Sequence, residues 1–175
     1  MTIPPWHEEP IAQSHQRNEF DCGDPQMNTF LQRFARQSHE KNAAKTFCAI
    51  PDAAPNHILG FYTIAPSVVE HADVPSHFTK GLARHDVPGF KLARLATDRS
   101  VAGNGLGGQL LAAAALRCLR IASEGGGLLL IIDAKSERAA RWYASFGAEP
   151  LQDKPLTLVI PLAAYSPDLQ AKKLL

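Results

Sequence analysis

The chain has 175 residues, 45% of them hydrophobic, which suits one globular domain with a sizeable core. Its formal net charge of +1 gives no global basic field, so a nucleic-acid partner would have to be met by a local patch. Cys22, Cys48 and Cys118 form no C-x-x-C pair, which indicates neither a zinc knuckle nor a disulfide framework and points to reduced thiols in the cytoplasm.

Residues 1–16 read as an irregular lead-in, with prolines and acids where a secretory signal would carry basic and then apolar residues. Asp24 and Pro25 make a helix start, Asp as cap and Pro in the first turn. Met27, Phe30, Leu31, Phe34 and Ala35 follow at helical spacing and predict a buried face, with Gln32, Arg33, Arg36 and Gln37 opposite. Thr46–Ile50 and Ile58–Ala65 read as strands of an antiparallel hairpin around a turn-rich connector. Residues 66–90, with Pro66, Pro75 and Pro88, read as a loop holding a short helix. Phe90–Thr97 is a strand, Leu106–Ser123 a helix ended by three glycines, and Leu128–Ile132 a central buried strand too short to span a bilayer. Ser136 caps a helix running to Phe146 and closed by Gly147, and Leu156–Ile160 is the last strand. This order predicts an α/β fold with a mixed sheet and one domain over 1–175.

The stretch from Leu92 to Gly108 carries the chemistry. A strand feeds Gly103, Gly105, Gly107 and Gly108, and a strong helix-forming run follows. Strand, glycine loop and helix together aim backbone N–H groups at an anion, and glycine lets the backbone approach a phosphate. A Walker loop is excluded, because Gly108 is followed by Gln109 and Leu110 and not by Lys and Ser or Thr. Gly103, Gly105 and Gly108 do match G-x-G-x-x-G, but residues 98–102 separate them from the strand, and too little chain follows Asp133 to complete a doubly wound sheet. A helix start with no ligand is the weaker reading, since clustered glycines cost helix stability. The cargo is a phosphate-bearing cofactor.

The run from Leu95 to Leu110 resembles motif A of the GNAT superfamily of acetyl-CoA-dependent N-acetyltransferases, with Ala102-Gly103-Asn104-Gly105-Leu106-Gly107 in place of Gln/Arg-x-x-Gly-x-Gly/Ala. Ala102 departs from that pattern. Residues 133–151 look like the GNAT C-terminal segment, in which a helix Tyr precedes a Phe-Gly turn. Residues 19–50 and 57–66, with LARLATDRSVAGNGLGGQLL, are similar to the GNAT toxins of bacterial toxin–antitoxin pairs, over a core of about 17–162. The resemblance implies central parallel strands that splay apart beside antiparallel N-terminal strands. It assigns the pantetheine arm to the backbone of Leu95, Ala96 and Thr97, and the pyrophosphate to Ala102, Gly103, Asn104, Gly105, Leu106, Gly107 and Gly108. Arg138 and Arg141 are candidates for the 3′-phosphate of coenzyme A.

Acetyl transfer to an amine needs a neutral amine, a stabilised oxyanion and a proton for the leaving thiolate. Tyr143 matches the family's catalytic Tyr and is the candidate acid; the competing reading makes it a core aromatic beside Trp142 and Phe146. Asp98, Glu137 and several His are available as bases, and spacing singles out none. The seven histidines show no metal-ligand spacing, so no metal is expected. The toxin resemblance implies that the α-amino group of aminoacyl-tRNA is acetylated, which stops translation. Candidate tRNA contacts are Arg33, Arg36, Lys41 and Lys45, with Lys80, Arg84, Lys91 and Arg94 as a second stripe. It further implies a ribbon–helix–helix antitoxin, promoter DNA bound through that complex, and a homodimer. Competing readings are acetylation of a small-molecule amine or a protein N-terminus, and a non-catalytic CoA-binding module.

Overall fold

The computed structural model describes residues 2–166. Seven strands form one mixed sheet: β1 (Trp6–Pro10), β2 (Lys45–Pro51), β3 (Gly60–Val69), β4 (Val87–Thr97), β5 (Leu129–Asp133), β6 (Glu149–Leu151) and β7 (Lys154–Pro161), in the order β1-β2-β3-β4-β5-β7-β6. Helices α1 (Pro25–Thr29) and α2 (Ala35–Glu40) flank a π-helical turn over Phe30–Phe34, and α3 (Leu106–Gly125) and α4 (Glu137–Ala144) follow β4 and β5. The fold class expected from the sequence is the one observed. The described chain divides into two compact units, residues 2–65 with 93–114 and residues 66–92 with 115–166.

In the first unit β2 pairs antiparallel with β3, from Lys45 opposite Ile64 to Ala49 opposite Gly60, as the hairpin pattern predicts. The Asp24 carboxylate accepts from the backbone N–H of Gln26 at 3.0 Å and Met27 at 3.4 Å, so the predicted cap starts the helix. Leu31 and Ala35 are fully buried and pack with Phe20, Cys48, Ile50, Phe61 and Ala96. Phe34 does not join them: it is 53% exposed. The wider π turn carries it away from the Leu31–Ala35 line, which α-helical spacing could not anticipate.

The lead-in also corrects the sequence reading, because Trp6–Pro10 is a strand paired antiparallel with β2. Its Trp-His-Glu-Glu-Pro sequence has no apolar alternation, since as an edge strand it is held by main-chain bonds and carries charge and proline. Strand β3 continues through Pro66, beyond Ile64, the last residue that β2 pairs, so the missing proline N–H interrupts no β2 bond.

In the second unit β4 pairs in parallel with β5 over Gly89–Leu92, and β7 runs antiparallel to β5 and to the short β6. Val74, Val87, Leu129, Ile131, Leu151 and Val159 form its core. Gly89 is required there, since a Cβ would collide with the Leu129 carbonyl oxygen. Ser136 caps α4 by accepting from the Ala139 N–H at 3.1 Å. Residues 66–86 hold two short 3-10 turns, His71–Asp73 and Ser76–Phe78. Among the described residues no helix is long and apolar enough to cross a membrane.

Candidate active site

The glycine loop is built in the first unit. Strand β4 runs on through Thr97, and the chain is then pinned by Asp98. One Asp98 carboxylate oxygen accepts from the Asp21 N–H at 3.0 Å, and the other from the Ser100 N–H at 3.0 Å and hydroxyl at 2.8 Å. The Asp98 N–H donates to the Leu59 carbonyl at 2.8 Å. Asp98, open as a base from sequence alone, therefore anchors the loop. The Asp-x-Ser order, an Asx-type turn, is the signal that could have found it.

Gly103 and Gly105 adopt φ of +79° and +91°, the left-handed region that glycine enters at least cost. No atom lies within 4 Å of where a Cβ would stand on either, so the space before the loop is open. The helical ladder starts with the Gln109 N–H donating to the Gly105 carbonyl at 3.2 Å, so the amides of Leu106, Gly107 and Gly108 lie in the first turn and make no such bond. Those donors stand at the positive end of a 20-residue helix. The Asn104 N–H instead donates to the Val101 carbonyl at 3.3 Å, and its side-chain amide donates to the Val101 carbonyl at 3.2 Å. Asn104 thus shapes the loop from within. An open cradle with unpaired amides fits a diphosphate. Ala102 is exposed and extends no polar side chain toward it.

Tyr143 lies in the second unit on α4. It is buried, 9% exposed, whereas Trp142 and Phe146 beside it are 37% and 40% exposed. Its ring meets Trp142 edge-on at 4.9 Å. No hydrogen bond from another described residue engages its hydroxyl. Burial pushes the phenol up to about 12, so it stays protonated at neutral pH. Arg138 and Arg141 are exposed on the same helix.

The basic candidates separate. Arg33 and Lys41 are exposed; Arg36 pairs with Glu40 at 2.9 Å; Lys45 donates to the His39 carbonyl at 3.0 Å. Lys80 and Arg84 are exposed, Lys91 pairs with Asp133 at 2.6 Å, and Arg94 lies over the Phe30 ring at 4.8 Å. The second stripe is thus divided, with Arg94 joining the first helical segment. The Cys48 and Cys118 thiols are buried and pushed up to about 12, which suits packing and not nucleophilic attack. No cluster among the described residues could hold a metal ion.

No protein-family model matches the chain. A tRNA-acetylating toxin of Mycobacterium tuberculosis strain H37Rv is 30% identical over 150 residues, covering 86% of this chain and 88% of that protein. AtaT complexed with acetyl-methionyl-tRNAfMet is similar with a TM-score of 0.85 and 26% identity, over 91% of this chain and 96% of that one. A tyrosine-to-phenylalanine variant of AtaT bound to acetyl-CoA and the C-terminus of the antitoxin AtaR is similar at 0.78 and 25%, over 91% and 95%. The KacTA–DNA complex is similar at 0.80 and 26%, over 96% and 99%.

Proposed function

This chain belongs to the tRNA-acetylating GNAT toxins of type II toxin–antitoxin systems, and we propose that it transfers the acetyl group of acetyl-CoA to the α-amino group of aminoacyl-tRNA. The observation that carries the reading is the open amide cradle at the head of α3, which suits the diphosphate of acetyl-CoA. In this reading Gly103, Gly105, Leu106, Gly107 and Gly108 grip that diphosphate, Leu95–Thr97 offer main-chain groups to the pantetheine arm, and exposed Arg138 or Arg141 takes the 3′-phosphate. Acetyl-CoA supplies the acyl group as an activated thioester. Main-chain N–H groups of Leu95–Thr97 stabilise the developing oxyanion.

Tyr143 donates its proton to the departing sulfur. A neutral phenol with no hydrogen-bond partner among the described residues is poised for that task, and the solved relative carrying a Tyr→Phe substitution supports singling out a tyrosine. No general base is assigned. A free α-amino group titrates near about 7.7–8.0 and an adjacent ester lowers it, so the attacking amine is already partly neutral, unlike a Lys near about 10.4. Blocking that amine prevents peptide-bond formation in the cytoplasm.

AtaT has been solved with its antitoxin AtaR, and KacTA with DNA. For this chain the corresponding partners are a ribbon–helix–helix antitoxin and, through that complex, promoter DNA, with the toxin itself a homodimer. Radiolabelled acetyl-CoA offered with charged tRNA, polyamines and peptides tests the reading. Label must appear on the charged tRNA and be lost on prior deacylation. Acetylation confined to free amines or peptides would overturn the substrate assignment.

A further inference from the structure

Trp6 on β1 donates its indole N–H to the Gln109 side-chain oxygen at 3.0 Å. The bond joins the edge strand to the first turn of α3, within the first unit. Strand pairing sets Trp6 opposite Pro51 of β2, so its backbone is held in place. An indole N–H can only donate, which fixes the way round that the Gln109 carboxamide stands. Its oxygen faces Trp6, and its nitrogen keeps N–H donors that no described residue takes. Gln109 lies one turn beyond Gly105, whose carbonyl receives the Gln109 N–H at 3.2 Å. Residues four apart share a helix face, and long helical side chains lean back toward the N-terminus. Gln109 therefore overlooks the Gly105 side of the loop, where no atom lies within 4 Å of a Cβ position. Ala102 brings only a methyl to this loop.

We propose that Gln109 is a cofactor-binding residue whose side-chain amide donates to the diphosphate of acetyl-CoA, and that Trp6 is the positioning residue that turns it that way. The inference rests on the acetyl-CoA reading of the glycine loop and deepens it. A side chain of α3, aimed by the edge strand, supplies the polar contact that residue 102 does not.

Calorimetric titration of the full chain with acetyl-CoA tests it, in wild type, Gln109→Leu, Gln109→Glu, Trp6→Phe and the double variant Trp6→Phe with Gln109→Leu. Residue 109 is exposed, so its variants fold normally, and melting temperatures are measured alongside. Gln109→Leu should weaken binding roughly tenfold, the loss of one hydrogen bond to a charged acceptor. Gln109→Glu keeps an acceptor for Trp6 but meets the diphosphate with charge, and should weaken binding at least as much. Trp6→Phe should cost about threefold alone and nothing further beside Gln109→Leu. The same losses should appear with acetyl-dephospho-CoA, which keeps the diphosphate and lacks the 3′-phosphate. Unchanged affinity in Gln109→Leu, whatever Gln109→Glu does, overturns the inference and leaves the cofactor reading intact, as do additive losses in the double variant. A loss that vanishes with acetyl-dephospho-CoA assigns Gln109 to the 3′-phosphate and also overturns it. Failure of wild type to bind acetyl-CoA overturns both.

Discussion

Replacing Tyr143 by Phe removes one oxygen from a side chain that is 9% exposed and whose hydroxyl has no hydrogen-bond partner among the described residues. No hydrogen bond among the described residues is lost, so thermal stability at pH 7 should stay within about 1 kcal/mol of wild type. The catalytic consequence is far larger. Loss of a positioned general acid lowers kcat roughly 10²–10⁴-fold, equal to about 2.7–5.4 kcal/mol in the barrier. Steady-state acetylation of charged tRNA supplies kcat, and calorimetric titration supplies the acetyl-CoA affinity, which should not change. The sign of the pH effect follows from burial. An unfolded tyrosine ionises near about 10, and the folded phenol is raised to about 12. At neutral pH both forms are protonated and the group contributes no pH dependence. Between those values only the unfolded chain ionises, so rising pH lowers stability by at most about 1.4 kcal/mol per unit through this residue. Tyr143→Phe should flatten that alkaline slope. A variant with kcat within threefold of wild type refutes the acid role. An alkaline slope that persists unchanged refutes the buried-phenol argument.

Gly103→Ala and Gly105→Ala should each cost about 1–2 kcal/mol of backbone strain, because both positions need positive φ and have no atom near the added methyl. Their acetyl-CoA affinity should fall more than their stability, and Gly103→Asn, which tolerates that conformation better, should melt higher than Gly103→Ala. In Gly60→Ala the methyl would stand 2.8 Å from Leu110 Cδ1 and 2.9 Å from the Ala96 carbonyl oxygen, so denaturant titration should show a loss of about 1–3 kcal/mol. Asp98→Ala removes the acceptor of three hydrogen bonds at the head of the loop and should cost about 2–4 kcal/mol, with Asp98→Asn intermediate in urea midpoint. His7, bonded first to Asp52 and then to Glu9, has its pKa raised above 6.5. Its support of β1 is complete below that value and fades as pH rises through the folded pKa, and NMR titration should place the His7 midpoint above 6.5.

Local signals with one physical cause were legible, and those that depend on a distant partner were not. Asp24 caps its helix through bonds to residues two and three positions on, and the Lys45–Ala49 and Gly60–Ile64 pairing follows from two apolar runs around a turn. The glycine loop was legible because the turn into α3 needs positive φ at Gly103 and Gly105. By contrast, Trp6–Pro10 owes its strand to β2, and nothing within it announces that partner. Phe34 shared the spacing of Leu31 and Ala35, and one π turn was enough to place it in solvent. Asp98 looked like a free carboxylate until Asp21, far back in the sequence, was found donating to it. The division of the basic candidates between ion pairs and open surface was not readable, since Asp133 and Glu40 decide it.

The departure at Ala102 bears on which parts of the loop set its shape. The family pattern places Gln or Arg there, and this chain offers an exposed methyl. The loop nonetheless keeps its shape, because that shape is set elsewhere: by Asp98 ahead of it, by Asn104 bonded back to Val101, and by the φ values of Gly103 and Gly105. The amides of Leu106, Gly107 and Gly108 and the dipole of α3 are properties of the main chain, which no side-chain substitution at residue 102 removes. In the proposed reading, losing the side chain subtracts one polar contact to the diphosphate, while losing either positive-φ glycine would distort the loop itself. On physical grounds the glycines, and not residue 102, are the part of the motif this fold can least do without.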